Sequence, residues 1–255
     1  MMRAKKSLGQ NWLVDPTVVA TIIETAALRP NEVVLEIGPG QGVLTTALLA
    51  TGARVLAIEK DDRLIDVLNR KFAVARERKQ FTLIHGDVLD FLPQPHEVLA
   101  GGYQLVANIP YYLTGRILRQ FLTNEPQPKT VTVLLQKEVA KRLVANDGRE
   151  SLLSMATKVY GRPRYVQTVP AAAFSPQPKV DSAIVSIDQI NKDNFRASSE
   201  EKFFDCLKRG FAGKRKMLRN NLALAPNVWS SCQIAPTARA ENLTLNDWLC
   251  LAEKS

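Results

Sequence analysis

Short apolar runs that stop at glycine or a lone polar residue, with helical patterns between them, restrict this chain more than any other feature. The runs fall at 33–37, 54–59, 81–86, 105–107 and 131–135, and amphipathic stretches follow at 43–50, 62–72, 114–122 and 137–144. An apolar run without alternation is a strand buried on both faces, and strands separated by helices pair in parallel because each helix returns the chain across the sheet. The pattern therefore predicts an α/β fold, with a mostly parallel sheet and helices on both faces. Ahead of it, Asp15-Pro16 supplies an N-cap acid and a proline for the first helical turn. Val18, Val19, Ile22, Ile23 and Ala26 then recur at helical spacing, which predicts a helix over 16–28. Thr114 is expected to cap the helix that runs to 122.

Further along, the texture changes. A helix is expected over 151–160, after which Pro163, Pro170, Pro176 and Pro178 interrupt the chain before the strand-like alternation of 180–187. A hairpin at the sheet edge fits this stretch. Residues 191–199 are polar and without period, so a linker is expected there. From Glu200 the sequence is helical and basic, giving two domains: 1–190 with the sheet and 191–255 as a small all-α domain.

That basic tail accounts for much of a wider imbalance, since the chain carries 34 Lys+Arg against 25 Asp+Glu, a net +9. Such an excess suits a polyanion, although composition alone also admits a merely solvated basic surface. Lys208, Arg209, Lys214, Arg215, Lys216 and Arg219 are the candidate phosphate contacts for such a polyanion. Phe203, Phe204, Leu207, Phe211, Leu218 and Leu222 form the apolar stripe that would dock this face. No apolar run approaches the roughly 20 residues that cross a bilayer, and the N-terminal stretch lacks the core of a secretory signal. A cytoplasmic protein without membrane contact is expected. Cys206, Cys232 and Cys250 are odd in number and far apart, and are expected to be reduced, buried thiols. His85 and His96 are the only histidines, which leaves poor material for a metal site or a Ser/His/Asp triad.

In doubly wound sheets ligands sit beyond the carboxyl ends of the strands, and the unusual residues fall at those ends. Gly38, Gly40 and Gly42 permit a tight turn and close approach to a ligand. Glu59, at the second tip, can accept from both ribose hydroxyls; Asp87, at the third, can accept from an adenine amino group; Asn108 ends the fourth. The spacing G-x-G-x-G, preceded by the acid Glu36, departs from the G-x-G-x-x-G pyrophosphate cradle. It favours a nucleoside without phosphates, such as S-adenosylmethionine, over NAD. Asn108-Ile109-Pro110-Tyr111 has its own chemical sense: the Asn108 side-chain oxygen and the carbonyl before Pro110 can accept both protons of an exocyclic amine, localising its lone pair. Tyr111 offers a face for a flipped base. No metal or strong general base is needed for that step.

Several motifs together carry a family resemblance. They are Lys6-Ser7-Leu8-Gly9-Gln10-Asn11-Trp12-Leu13, Glu36-Ile37-Gly38-Pro39-Gly40, Asn108-Ile109-Pro110-Tyr111, Leu135-Gln136-Lys137-Glu138 and Phe174-Ser175-Pro176-Gln177-Pro178-Lys179-Val180-Asp181-Ser182. In the tail, Lys214-Arg215-Lys216-Met217-Leu218-Arg219-Asn220-Asn221-Leu222 and Arg239-Ala240-Glu241-Asn242-Leu243 continue it. The chain resembles the ribosomal RNA adenine N6,N6-dimethyltransferases, most closely their small-subunit branch. The resemblance implies a class I methyltransferase (Rossmann-like) fold and S-adenosylmethionine as methyl donor. As substrate it implies two adjacent adenines in a hairpin loop near the 3′ end of 16S rRNA. It places Asn11, Leu13, Gly38, Glu59, Asp87 and Asn108 against the donor, with Asn108, Pro110 and Tyr111 as the catalytic residues on the target-base side. Trp12 stands where phenylalanine is usual and Ile109 where leucine is common, both keeping an apolar contact; Tyr112 is the least familiar position. A monomer acting on the small ribosomal subunit or its precursor is expected. Two alternatives stay open: a large-subunit rRNA adenine methylase of the macrolide-resistance type, and a non-catalytic RNA-binding assembly factor on the same fold.

Overall fold

The computed structural model describes residues 4–5, 8–91, 97–145, 147–195, 199–213 and 216–254; Lys6, Ser7, His96, Lys214 and Arg215 lie outside these. In chain order the elements are β1 (Trp12–Leu13), α1 (Pro16–Ala26), β2 (Val33–Ile37), α2 (Val43–Ala50), β3 (Arg54–Glu59), α3 (Asp62–Lys71), α4 (Ala73–Glu77), β4 (Phe81–His85) and α5 (Val88–Phe91). Then come β5 (Gln104–Asn108), α6 (Thr114–Thr123), β6 (Thr130–Gln136), α7 (Lys137–Val144), α8 (Leu152–Lys158), β7 (Arg162–Val169), β8 (Phe174–Ser175) and β9 (Ser182–Asp188). The C-terminal stretch contributes α9 (Glu200–Phe211), α10 (Pro226–Ser231) and α11 (Leu245–Lys254).

The chain divides into two compact units, Met1–Ala140 with Arg164–Ile190, and Lys141–Pro163 with Asn191–Ser255. In the first, a seven-stranded sheet runs β4-β3-β2-β5-β6-β9-β7. Pairing is parallel from β4 to β6, and β9 joins β6 antiparallel. The inner parallel strands β2, β3, β5 and β6 are buried along almost their whole length, as Val34, Leu35, Leu56, Leu105 and Leu134 show, whereas the outer strand β4 is buried only at Phe81. Val18, Val19 and Ile22 of α1, Leu44 and Leu48 of α2, and Leu64 and Leu68 of α3 complete one core with the sheet. Asp15 caps α1 by accepting from the Thr17 N–H at 2.8 Å, with Pro16 in the first turn, as the sequence predicts.

Three local expectations change. Thr114 is the first residue of α6 and not its cap, because a 3-10 turn at Tyr111–Leu113 runs straight into the helix; its hydroxyl turns back to donate to the Tyr111 carbonyl at 3.2 Å. Pro163 lies within β7 and the later prolines precede β9, the two strands being neighbours at the sheet edge, but a further strand, β8, pairs antiparallel with β1. The third change concerns cysteines. Cys232 and Cys250 are joined in a disulfide with Cα atoms 5.8 Å apart, and only Cys206 is a free, buried thiol. Cys232 closes α10 and Cys250 lies within α11, so helix packing brings together residues that spacing alone keeps apart. Burial pushes the Cys206 thiol up to about 11.

The domain boundary expected at 190 also shifts, since 141–163 joins the helical unit. Tyr160 explains why: its fully buried ring packs on Phe195 and Phe204, and its hydroxyl donates to Glu200 Oε1 at 2.6 Å. The Glu150 N–H donates to the Glu241 carbonyl, and the Asn191 N–H to that of Tyr160. Residues expected as a free linker are thereby partly packed, with Phe195 edge-on to Phe203. The apolar stripe docks as its spacing predicts, for Phe203 and Leu207 of α9 and Leu218 beyond it are buried, and Phe211 stacks on Trp248.

Candidate active site at the strand tips

Strand register levels the functional residues. Ile37 pairs with Ile58 on one side and Ala107 on the other, so Gly38, Glu59 and Asn108 follow at one height; Glu59 pairs with His85, two residues before Asp87. The chain reverses its winding between β2 and β5, which is where a doubly wound sheet opens a crevice. A cleft of about 770 Å³, counted with its open mouth, lies there. Its lining includes Asn11, Gly38, Glu59, Asp87, Asn108, Pro110 and Tyr111, all expected from the sequence.

Leu13 is the exception. Its side chain is buried in the core, it pairs with Phe174, and it is not among the lining residues. Leu8, Gly9, Gln10 and Trp12 do line the cleft, because the N-terminal segment is strapped over it. The strap is fastened by β1 on β8, by the Asn108 amide donating to the Asn11 carbonyl at 2.9 Å, by the Gln10 amide donating to Asp61 at 2.8 Å, and by the Lys5 ammonium beside Asp61 and Asp62. Arg63, at 2.6 Å, together with Gln10 and Lys5 outweighs the effect of burial and holds the Asp61 carboxyl well below the usual range.

Glu59 is fixed by the backbone. Its Oε2 accepts from the Gly40 N–H at 3.1 Å and its Oε1 from the Asp61 N–H at 2.8 Å. Burial raises its pKa, and these backbone donors partly offset the rise. Asp87 is engaged as well, with Oδ2 2.7 Å from the Lys60 ammonium and Oδ1 accepting from the Leu89 N–H. Burial acts to raise the Asp87 pKa, but the lysine and the N–H outweigh it and the net shift is downward.

The glycine loop fits a ligand that lies directly on backbone. Gly38 has φ +66°, and a Cβ there would meet nothing within 4 Å, so the position opens onto the cleft. Gly40 instead seats the Trp12 indole, whose ring a Cβ would strike at 2.9 Å. The buried Trp12 Nε1 has no hydrogen-bond partner among the described residues, a donor that a bound polar group would satisfy. Glu36 corrects an expectation. It does not face the cleft but is buried beneath the loop, accepting from the Thr45 hydroxyl at 2.7 Å, and burial pushes its pKa up to about 8. A largely neutral acid at pH 7 does not repel a phosphate by charge, so the preference against phosphates rests on glycine spacing alone.

At the fourth tip, the bond to the Asn11 carbonyl fixes which end of the Asn108 amide is which. Only the NH₂ can donate there, so Oδ1 remains the acceptor on the other side. The half-buried Tyr111 is tethered by a 2.7 Å hydroxyl contact to Ser182 at the start of β9, while Tyr112 is 59% exposed at the mouth. Lys60, Gly86, Val88 and Tyr112, and Leu8, Gly9 and Gln10 of the strap, are among the lining residues to which sequence reasoning gave no contact. Among the described residues, no group of three or more His, Cys, Asp or Glu could hold a metal, and no helix is long and apolar enough to cross a membrane.

A mostly parallel sheet with this winding and a cleft at its strand tips has the architecture of an α/β methyltransferase. The sequence profile of the ribosomal RNA adenine dimethylases matches residues 1–254, and the chain belongs to that family. It is 41% identical over 262 residues to the ribosomal RNA small subunit methyltransferase A of Dehalococcoides mccartyi, covering 98% of this chain and 88% of the relative. Among solved structures it is similar to the 23S rRNA methyltransferase ErmE, with a TM-score of 0.76, 30% identity, and 96% and 99% of the two chains covered. A dimethyladenosine transferase from Plasmodium falciparum gives a TM-score of 0.77 at 26% identity, covering 94% of this chain and 95% of that one.

Proposed function

We propose that this protein transfers methyl groups from S-adenosylmethionine to N6 of two adjacent adenines in the 3′-terminal hairpin loop of 16S rRNA, on the small ribosomal subunit or its precursor. The observation that carries the reading is Asn108, levelled with Gly38 and Glu59 and oriented by Asn11 so that its Oδ1 is free to accept. The donor, when bound, supplies an electrophilic methyl on a sulfonium. Glu59, held by two backbone N–H groups, takes the ribose hydroxyls; Asp87 takes the adenine amino group; Gly38 and Asn11 flank the rest. On the target side, Asn108 Oδ1 and the Ile109 carbonyl accept hydrogen bonds from the base's amine, turning its lone pair toward the methyl, Tyr111 stacks on the base, and the surplus amine proton passes to water after transfer. Preorganised acceptors of this kind act without reorganising during the step. The protein acts as a monomer in the cytoplasm, where its substrate is.

Lys208, Arg209, Lys216 and Arg219 are exposed and, with Lys214 and Arg215 from outside the described residues, grip RNA phosphates. Arg209 shares its charge with Asp205 at 3.3 Å. The test is incubation of unmethylated small subunits with labelled donor and mapping of the product. Two adjacent labelled adenines near the 3′ end support the reading. The likeness to ErmE makes large-subunit RNA the competing outcome, and label only there would overturn the choice of substrate.

A further inference from the structure

Lys60 has no role in the chemistry above, yet it occupies a telling place. It follows Glu59 at the tip of β3 and lines the cleft, and its ammonium reaches across to Asp87 at the tip of β4. The two oxygens of Asp87 have unlike partners. Oδ1 is bound into the backbone that opens α5, through the Leu89 N–H at 3.0 Å, so it cannot turn without unmaking that helix start. Among the described residues Oδ2 carries only the lysine, whose side chain is 55% exposed and therefore mobile at small cost. Oδ2 is thus the oxygen that meets a ligand, and it arrives with a cation attached.

A carboxylate by itself recognises a hydrogen-bond donor and rejects an acceptor, whereas an ammonium does the reverse. We infer that Lys60 is a specificity-determining residue of the purine subsite: paired with Asp87, it presents an acceptor and a donor side by side to the purine 6-position, so that 6-amino and 6-oxo purines are both accepted. The inference rests on the reading that the cleft binds the methyl donor with its base at Asp87. A 6-amino group donates to Oδ2 while the ammonium keeps the second lone pair or swings to water. A 6-oxo group accepts from the ammonium, which Asp87 holds in place.

Calorimetric titration of the full chain with S-adenosylhomocysteine and with S-inosylhomocysteine, its 6-oxo counterpart, tests this. The wild-type protein binds the two with affinities within roughly tenfold of each other, since each finds a charged partner. Lys60→Met leaves Asp87 facing the 6-oxo group alone and widens the preference for the 6-amino ligand by a further factor of about ten or more. Lys60→Arg, which keeps the cation, restores the wild-type ratio. An unchanged ratio in Lys60→Met, or a wild-type protein that already rejects the 6-oxo ligand by more than about a hundredfold, overturns the inference. Failure of both ligands to bind the wild-type chain overturns the reading of the cleft itself and the inference with it.

Discussion

Replacing Glu36 with glutamine isolates the energetic consequence of a carboxyl buried under the glycine loop. The glutamine keeps an acceptor for the Thr45 hydroxyl but cannot ionise. In the native protein burial lifts this acid from 4.5 to about 8, so between those values the folded chain retains a proton that the unfolded chain has released. Stability contributed through this group therefore falls as pH rises from about 4.5 and levels off above about 8. Each pH decade in that window is worth about 1.4 kcal/mol, which sets a ceiling of roughly 4 to 5 kcal/mol. Local relaxation and water entry lower this ceiling, and a penalty of about 2 kcal/mol is expected at pH 8. For a protein of this size that corresponds to roughly 4 to 8 °C in Tm. Thermal unfolding of wild type and Glu36→Gln at about pH 5 and pH 8.5 provides the assay, since ionisations common to both cancel in the comparison. Glu36→Gln is expected to gain on the wild type as pH rises. Parallel curves across the range would refute the buried, protonated state of Glu36.

Other perturbations address function directly. Saturating S-adenosylmethionine, at about 100 times its Kd, should stabilise the wild type by about 2.7 kcal/mol, and Glu59→Ala should lose most of the Tm shift; stabilisation by NAD instead would contradict the donor assignment. Asn108→Ala should lower kcat by about 10²- to 10³-fold and also weaken donor binding, because the Asn11 carbonyl loses its tether; near-normal turnover would make the loop structural. Neutralising Lys214, Arg215 and Lys216 together should reduce the salt slope of small-subunit binding by about 0.7 to 0.9 for each RNA phosphate the tail no longer neutralises, and leave donor affinity unchanged. An unaltered slope would remove the tail from the RNA-binding surface.

What was legible in the sequence follows from where each residue gets its position. Gly38, Glu59, Asp87 and Asn108 sit directly at or beyond the end of an apolar run, so the register of a parallel sheet suffices to bring them together. Leu13 and its neighbours belong to strands of two residues, too short to carry a period, and their place comes from a partner at Phe174–Ser175 far along the chain. Lys60 reads in sequence as one more solvated cation after a strand; only the approach of the β4 tip gives it a function. Glu36 is part of a recognisable glycine motif, but its charge state depends on burial that no motif encodes. Residues 141–163 look like the close of the sheet-bearing part until the Tyr160 hydroxyl finds Glu200. The disulfide is illegible for the same reason, since α10 and α11 must pack before Cys232 and Cys250 are neighbours.

The strap over the cleft also sets an order of events in the making of the protein. Its residues are synthesised well before their partners, for β1 has nothing to pair with until Phe174 and Ser175 exist, and Asn11 waits on Asn108. At about 5 to 20 residues per second, the strands bearing Gly38 and Glu59 are complete many seconds before their cover can close. Closing a loop of that length late is the slow kind of contact for a folding chain. An emerging chain thus displays its cleft-facing backbone before the strap is fastened, and the cleft takes its final lining in one late step when β1 meets β8.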